Sequence, residues 1–269
     1  MTTESTSNRT PLLIAMAALA LLAAGGGYIY SQSNNQNGEA AKTASSQAER
    51  AIAAAGMSNT DRKATEAVVR AYILENPEIL TEAAQILEQR AIAKRLDSAG
   101  GTLTQAFAGA AAGNPKGDVT VVEFTDYSCG YCRSSVADVQ RMIGADKNLR
   151  VVYREVPILS PASREASKWA LAAAQQGKHQ AFHDAMFSGD KPDDTSIRVA
   201  ARKAGLDMAR AEADANSNEV AAEIEANLAM MQKLGVGGTP TFVIGGLILE
   251  GALGYDALMQ AVKKVRNKT

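Results

Sequence analysis

The sequence predicts an α/β fold, a small sheet in βαβ…ββα order interrupted by a long helical insertion. Three observations carry this. Asp118 to Thr125 (DVTVVEFT) and Arg150 to Val156 (RVVYREV) are β-branched runs, and Val136, Val139 and Met142 between them recur at helical spacing. Residues 161–234 lack strand signals and read as almost wholly helical, closed by Gly235 as a C-cap. Thr241 to Ile244 and Leu247 to Leu249 flank Gly245-Gly246 as a hairpin, before a last helix at 254–267 with Tyr255, Leu258 and Val262 turned inward.

In chain order, residues 1–10 precede an uncharged run at 11–30, PLLIAMAALALLAAGGGYIY. Twenty helical residues rise about 30 Å, the thickness of a hydrocarbon core. Tyr28 and Tyr30 fall where an interfacial aromatic belt would lie. Arg9 before the run, with no basic residue after it until Lys42, leaves 1–10 in the cytoplasm and exports the rest. An uncleaved single-pass anchor is the favoured reading. A cleaved signal peptide is its rival, although the run is long for one and ends in no clean Ala-x-Ala site. A buried soluble helix is the third reading. Both leading readings place the remainder in an oxidising compartment, the periplasm of a bacterium.

Residues 31–59 are rich in Ser, Asn, Gln and Gly and read as a flexible linker. Residues 60–99 form a helical segment capped by Asn59 or Thr60, interrupted at Asn76-Pro77. Its apolar positions, among them Val68, Val69, Tyr72, Ile73, Leu80 and Ile86, form a stripe that serves either packing on its own domain or homo-oligomerisation. Residues 100–269 make the main domain, with the insertion at about 161–234. Trp169, Leu171, Phe182, Met186, Phe187, Ile197, Leu206, Ile224, Leu228 and Met231 are its expected core.

Across 269 residues the hydrophobic fraction is 46%, enough for one good core, and aromatics at 5% favour helix over an all-β fold. A net charge of -1 gives no footprint for nucleic acid. The chain holds 2 cysteines, three positions apart. A loop that short contributes roughly 2 kcal/mol to stability, against about 3 kcal/mol for a 15-residue loop. The pair is therefore chemistry rather than a staple.

Cys129-Gly130-Tyr131-Cys132 sits at a strand end and a helix start. Free N–H groups and the positive end of the helix dipole stabilise a thiolate there. Cys129 becomes the nucleophile with an exposed sulfur, and Cys132, one turn inside, resolves a mixed disulfide formed on it. A fall of about three units in the Cys129 pKa would stabilise the reduced form by about 2 kcal/mol at pH 7, or roughly 45 mV. It would change the rate of attack little, because nucleophilicity falls as the thiolate fraction rises.

The stretch VVEFTDYSCGYC with GVGGTPTFVIGG downstream resembles the DsbA-type branch of the thioredoxin superfamily. The resemblance spans about 60–269, including VVRAYILENPEIL, and implies a thioredoxin-like fold with a helical insertion. By this resemblance Glu123 is the buried acid that assists proton transfer at Cys132. A partly exposed strand glutamate is the other reading of Glu123. Pro240 matches the cis-proline facing the active site, with Thr239 before it, and the backbone beside it pairs with substrate as an added strand. Gly130 and Tyr131 match the dipeptide that tunes redox potential. Strongly oxidising members carry a histidine in that dipeptide. The Gly-Tyr pair with Thr before the proline resembles the disulfide isomerase branch, so oxidase, isomerase and reductase directions all stay open. Exported, unfolded or partly folded proteins are the implied substrates, a separate redox partner recycles the pair, and neither cofactor nor metal is implied.

Two other readings belong to different classes. A tethered adaptor would keep the fold without the activity, which retention of both cysteines, Glu123 and Pro240 argues against. A Cys₂His₂ zinc module would use His179 and His183, but the gap from Cys132 is far longer than the usual 12–15 residues. Surface or capping roles are the simpler reading of the histidines.

Overall fold

The computed structural model describes residues 58–267, together with 50, 54 and 56. The N-terminus at 1–10, the anchor expected at 11–30 and most of the linker lie outside the described residues. Among the described residues no helix is long and apolar enough to cross a membrane.

The chain divides into two units, residues 1–81 and 82–269. In the first, α1 spans Asn59–Glu75. Its cap is Ser58 rather than Asn59 or Thr60. The Ser58 hydroxyl accepts the Asp61 amide at 3.2 Å while the Asp61 carboxylate accepts the Ser58 amide at 3.1 Å, a reciprocal capping box. The helix stops before Pro77, where the Asn76 side chain donates to the Tyr72 carbonyl. No residue of α1 is buried, and Val68, Val69, Tyr72 and Leu74 all stand exposed. A second helix, α2 (Glu78–Ala99), crosses the division. Its C-terminal end lies within the second unit, where Arg95 donates to the Leu234 carbonyl at 3.0 Å.

The second unit is built on a five-stranded sheet of β1 (Ala111–Gly113), β2 (Val119–Thr125), β3 (Leu149–Glu155), β4 (Thr241–Ile244) and β5 (Leu247–Glu250), in the order β1-β3-β2-β4-β5. β2 and β3 run parallel, with Val119 opposite Leu149 and Thr125 opposite Glu155, joined by α3 (Gly130–Ala145). The other pairings are antiparallel. β1 is an addition to the expected order, because Ala-Ala-Gly carries no β-branched signal. Both faces are covered, which is why β2 and β3 read as continuous apolar runs. On one face Val121, Val151, Tyr153, Phe242 and Ile244 pack with Val139 and Met142 of α3 and with Leu258 and Val262 of α9 (Tyr255–Arg266). On the other, Val122, Phe124, Val152 and Val243 meet Met231 and Leu234. Burying each large apolar side chain contributes about 1.5–3 kcal/mol. Tyr255 itself is only half-buried, under the Arg141 guanidinium.

Five helices form the insertion: α4 (Pro161–Gln175), α5 (His179–Ser188), α6 (Asp194–Lys203), α7 (Met208–Ala215) and α8 (Asn218–Leu234). Five alanines of α4 (166, 170, 172, 173 and 174) are buried, their small side chains letting neighbours pack on several sides. Gly235 ends α8 in the left-handed conformation. The expected core of the insertion is buried except for Leu228, which is half-buried, and Trp169 packs inward beneath Arg198. Beside the sheet, Gly113 and Gly117 pass close to the backbone entering β3. A Cβ would lie 2.4 Å from the Leu149 carbonyl oxygen at the first and 2.5 Å from that of Asn148 at the second.

Candidate active site

β2 delivers the chain into the turn Asp126-Tyr127-Ser128, and α3 opens at Gly130. Asp126 organises this turn. One oxygen of its buried carboxylate accepts the Ser128 amide at 2.7 Å, and the other accepts the amides of Ile158 and Leu159 at 2.8 and 2.9 Å. The loop leaving β2 is thereby pinned to the loop leaving β3. The hydroxyls of Ser128, Ser160 and Ser163 close a ring beside it, with sides of 2.8, 2.9 and 2.7 Å.

Cys129 is the N-cap of α3, with extended backbone, and its sulfur accepts the Cys132 amide at 3.4 Å. The free N–H groups of the helix start thus meet the sulfur, as the spacing requires. The sulfur is not exposed as expected: Cys129 is 6% exposed. The loop carrying Thr239 and Pro240 covers it, and the Cys129 thiol donates to the Thr239 carbonyl at 3.1 Å. The Thr239-Pro240 peptide is cis, Pro240 is buried and Thr239 half-buried. Cys132 is fully buried, Gly130 is open, and Tyr131 projects into solvent at 71% exposure. Both thiols are free.

The two sulfurs are electrostatically unlike. The Cys129 thiol is lowered to about 5, first by the hydrogen bond from Cys132, against the opposing effect of burial, and then by Thr239 and the helix-start backbone amides. Burial pushes Cys132 far up, and its hydrogen bond to Cys129 and the Glu123 charge push the same way. Glu123 is 1% exposed, which removes the reading of it as a partly exposed strand residue. One of its oxygens has no hydrogen-bond partner. Burial raises it to about 8, with Glu155 and Cys129 adding charge repulsion.

His179 and His183 are neither surface nor capping residues. Each is 1% exposed, and they join Tyr127 and Glu155 inside the domain. His179 Nε2 lies 3.0 Å from a Glu155 oxygen, the Tyr127 hydroxyl lies 3.1 Å from the same oxygen and 3.2 Å from His183 Nδ1, and Ser167 donates to the other oxygen. Among the described residues Glu155, His179 and His183 form the one group with a cation's donor set, their ligand atoms within 4.8 Å of one another, and the cysteines are outside it. The zinc reading that joined these histidines to Cys129 and Cys132 is therefore not what the fold assembles. Asp126, the serine ring and this cluster were not anticipated. An acid three residues before the first cysteine, followed by Ser128, is the turn signal that pointed to Asp126.

Residues 120–263 match the DSBA-like thioredoxin domain, and residues 61–94 match the copper resistance protein ScsC N-terminal domain. Among solved structures, a thioredoxin-like oxidoreductase from Silicibacter pomeroyi DSS-3 is 46% identical, covering 58% of this chain and 91% of that one, with a TM-score of 0.57. The thiol-disulfide exchange protein alpha-DsbA2 from Wolbachia pipientis is 27% identical over 66% of this chain and 98% of that one, with a TM-score of 0.62. Proteus mirabilis ScsC in a transitional conformation is 27% identical over 80% and 99%, with a TM-score of 0.60. Curated relatives include a Na(+)/H(+) antiporter NhaA 3 of Salinispora tropica, 29% identical over 147 residues. The match spans 54% of this chain but only 22% of that relative's length.

Proposed function

Because the chain belongs to the DSBA-like thioredoxin domain family, we propose that it is an extracytoplasmic thiol–disulfide oxidoreductase working through Cys129 and Cys132. The observation that carries this reading is the polarised pair at the start of α3: one sulfur held as a thiolate by a hydrogen bond and a helix start, the other kept protonated by burial.

As a disulfide donor, the oxidised pair is attacked at Cys129 by a substrate thiolate. The Cys129–Cys132 bond breaks, and the Cys132 sulfur leaves with the electron pair and takes a proton from Glu123. A second substrate thiolate then attacks the mixed disulfide. The substrate disulfide forms and Cys129 leaves as a thiolate, stabilised where it stands. The reverse sequence reduces a substrate, with ionised Glu123 accepting the Cys132 proton. Thr239 and Pro240 present backbone to an extended substrate segment, and Gly130 and Tyr131 tune the potential. Unfolded or partly folded exported proteins are the substrates, and a separate redox protein recycles the pair. The run at 11–30 tethers the domain to the bacterial inner membrane facing the periplasm, or exports it as a cleaved signal. The exposed stripe on α1 supports homo-oligomerisation. No nucleic acid, metal or organic cofactor enters this scheme.

The equilibrium reduction potential of the pair in glutathione buffers tests direction. A potential near about -120 mV makes the protein a disulfide donor; about -180 mV or below makes it an isomerase or reductase. A pair that shows no reversible thiol trapping at any buffer ratio overturns the oxidoreductase reading.

A further inference from the structure

The most unusual group outside the cysteine site is the cluster on the inner ends of β3 and α5. Glu155 is a fully buried carboxylate, and among the described residues the other buried strand acid is Glu123. The register sets Thr125 opposite Glu155 and Glu123 opposite Tyr153. Alternate residues of a strand share a face, so Glu123 and Glu155 are diagonal neighbours on one side of the sheet. That side is the one packed against α3, where Cys132 sits.

The two acids have opposite surroundings. Glu155 collects hydrogen bonds from Tyr127, His179 and Ser167. Glu123 has a buried oxygen with no partner. A carboxylate surrounded by donors favours ionisation, and one without them favours the proton. Two buried like charges on neighbouring strands are also mutually unfavourable, so the pair retains one proton over a wide pH range. The groups close among themselves as a chain: Tyr127 donates to Glu155, and ring nitrogens of His183 and His179 lie at hydrogen-bond distance from the Tyr127 and Glu155 oxygens. One anion satisfied by these donors favours a hydrogen-bonded network over a bound cation.

We propose that Glu155 is a positioning residue for the thiol chemistry: Tyr127, His179 and Ser167 hold it as the ionised member of a carboxylate pair, which leaves the proton of that pair on Glu123, on the Cys132 side. The proposal rests on the oxidoreductase reading for its purpose, though not for its physics. Tyr127 adds a covalent link, since it lies two residues before Cys129 in the turn. The titratable groups facing the pair are Tyr127 from the turn, Cys129 and Cys132 from α3, Tyr153 from β3, and His179, His183 and Asp184 from α5. Burial and the charge on Glu155 both raise Glu123; burial raises Glu155 as well, but there the hydrogen bonds from His179, Tyr127 and Ser167 pull the other way, a counterweight Glu123 lacks, and burial with a neighbouring His179 charge depresses His183 well below its ordinary range.

The test is the carboxyl ¹³C titration of Glu123 in the full chain, its signal identified by loss in Glu123→Gln. In Glu155→Gln, which keeps the side-chain volume, the Glu123 midpoint falls by about one pH unit or more. In Tyr127→Phe, which weakens the hold on Glu155, it falls by less. An unchanged midpoint in folded Glu155→Gln overturns the proposal, and so does an unchanged midpoint in Tyr127→Phe if Glu155→Gln does not fold. Stoichiometric zinc in the purified protein that is lost with Glu155→Gln also overturns it, in favour of a metal site. Thiol exchange is followed on the same samples. A chain inactive in exchange that still shows the Glu123 shift upholds the coupling while removing the oxidoreductase reading.

Discussion

The backbone amide of Cys132 points at the sulfur of Cys129 from 3.4 Å, so the second cysteine of the pair helps hold the first as an anion. The same four-residue segment thereby sets both the charge on Cys129 and its separation from Cys132.

The first expected outcome concerns pH and stability of the reduced protein. The Cys129 thiol is held at about 5 in the folded state against about 9 when unperturbed. A group lowered by folding contributes stability that is complete above its unfolded value and fades as pH falls through its folded value. The urea midpoint of the reduced protein therefore rises between pH 5 and pH 9, and Cys129→Ser flattens that rise. Parallel slopes for the two proteins would contradict the assignment.

Glu123 has the opposite sign. Its folded value of about 8 lies above an unfolded value of 4.5, so its contribution is complete below 4.5 and is lost as pH rises through 8. Glu123→Gln, which cannot ionise, is more stable to urea than the parent at pH 8, by on the order of 4 kcal/mol. It also slows exchange at Cys132 by on the order of 100-fold. Stopped-flow measurement of that step, alongside the urea series, checks both halves.

Cys132→Ser leaves Cys129 able to form a mixed disulfide that nothing inside the protein resolves. Covalent adducts with exported proteins accumulate, are seen on non-reducing gels after acid quench, and disappear with reductant or with Cys129→Ser. Finding no adducts would remove protein thiols as the substrate.

Assembly is expected to depend on α1. Replacing Val69 and Tyr72, both exposed on that helix, by glutamate reduces the mass measured by light scattering while leaving the reduction potential of the cysteine pair unchanged. A mass that stays constant in that double variant assigns the stripe no part in assembly.

Much of this architecture was legible in the sequence, because β-branched runs flanking an amphipathic stretch specify a strand–helix–strand unit and a tight hairpin follows Gly245-Gly246. The placement of Cys129 and Cys132 at a helix start was legible because the β-branched run of β2 ends just before them and helical spacing follows. β1 was missed since three residues of Ala-Ala-Gly pair through backbone alone, with no side-chain pattern to announce them. The histidines are buried because helical periodicity, not polarity, decides their side of α5. Phe182, Met186 and Phe187 mark the inward face of α5, and His183 lies on it, with His179 one turn earlier. Glu155 carried a comparable signal, a charge within the apolar run RVVYREV that an inward-facing strand position must satisfy internally. The cover over the Cys129 sulfur was not legible, because it comes from Thr239, 110 residues downstream.

Gly113 and Gly117 bear on how variants of this protein are to be interpreted. Neither approaches a sulfur, yet any side chain at either position would press into the backbone entering β3. In a saturating mutational screen scored by growth, both would be depleted much as the cysteines are. The two classes separate only when protein abundance is scored beside activity: the glycine variants vanish from the cell, while the cysteine variants persist and do nothing.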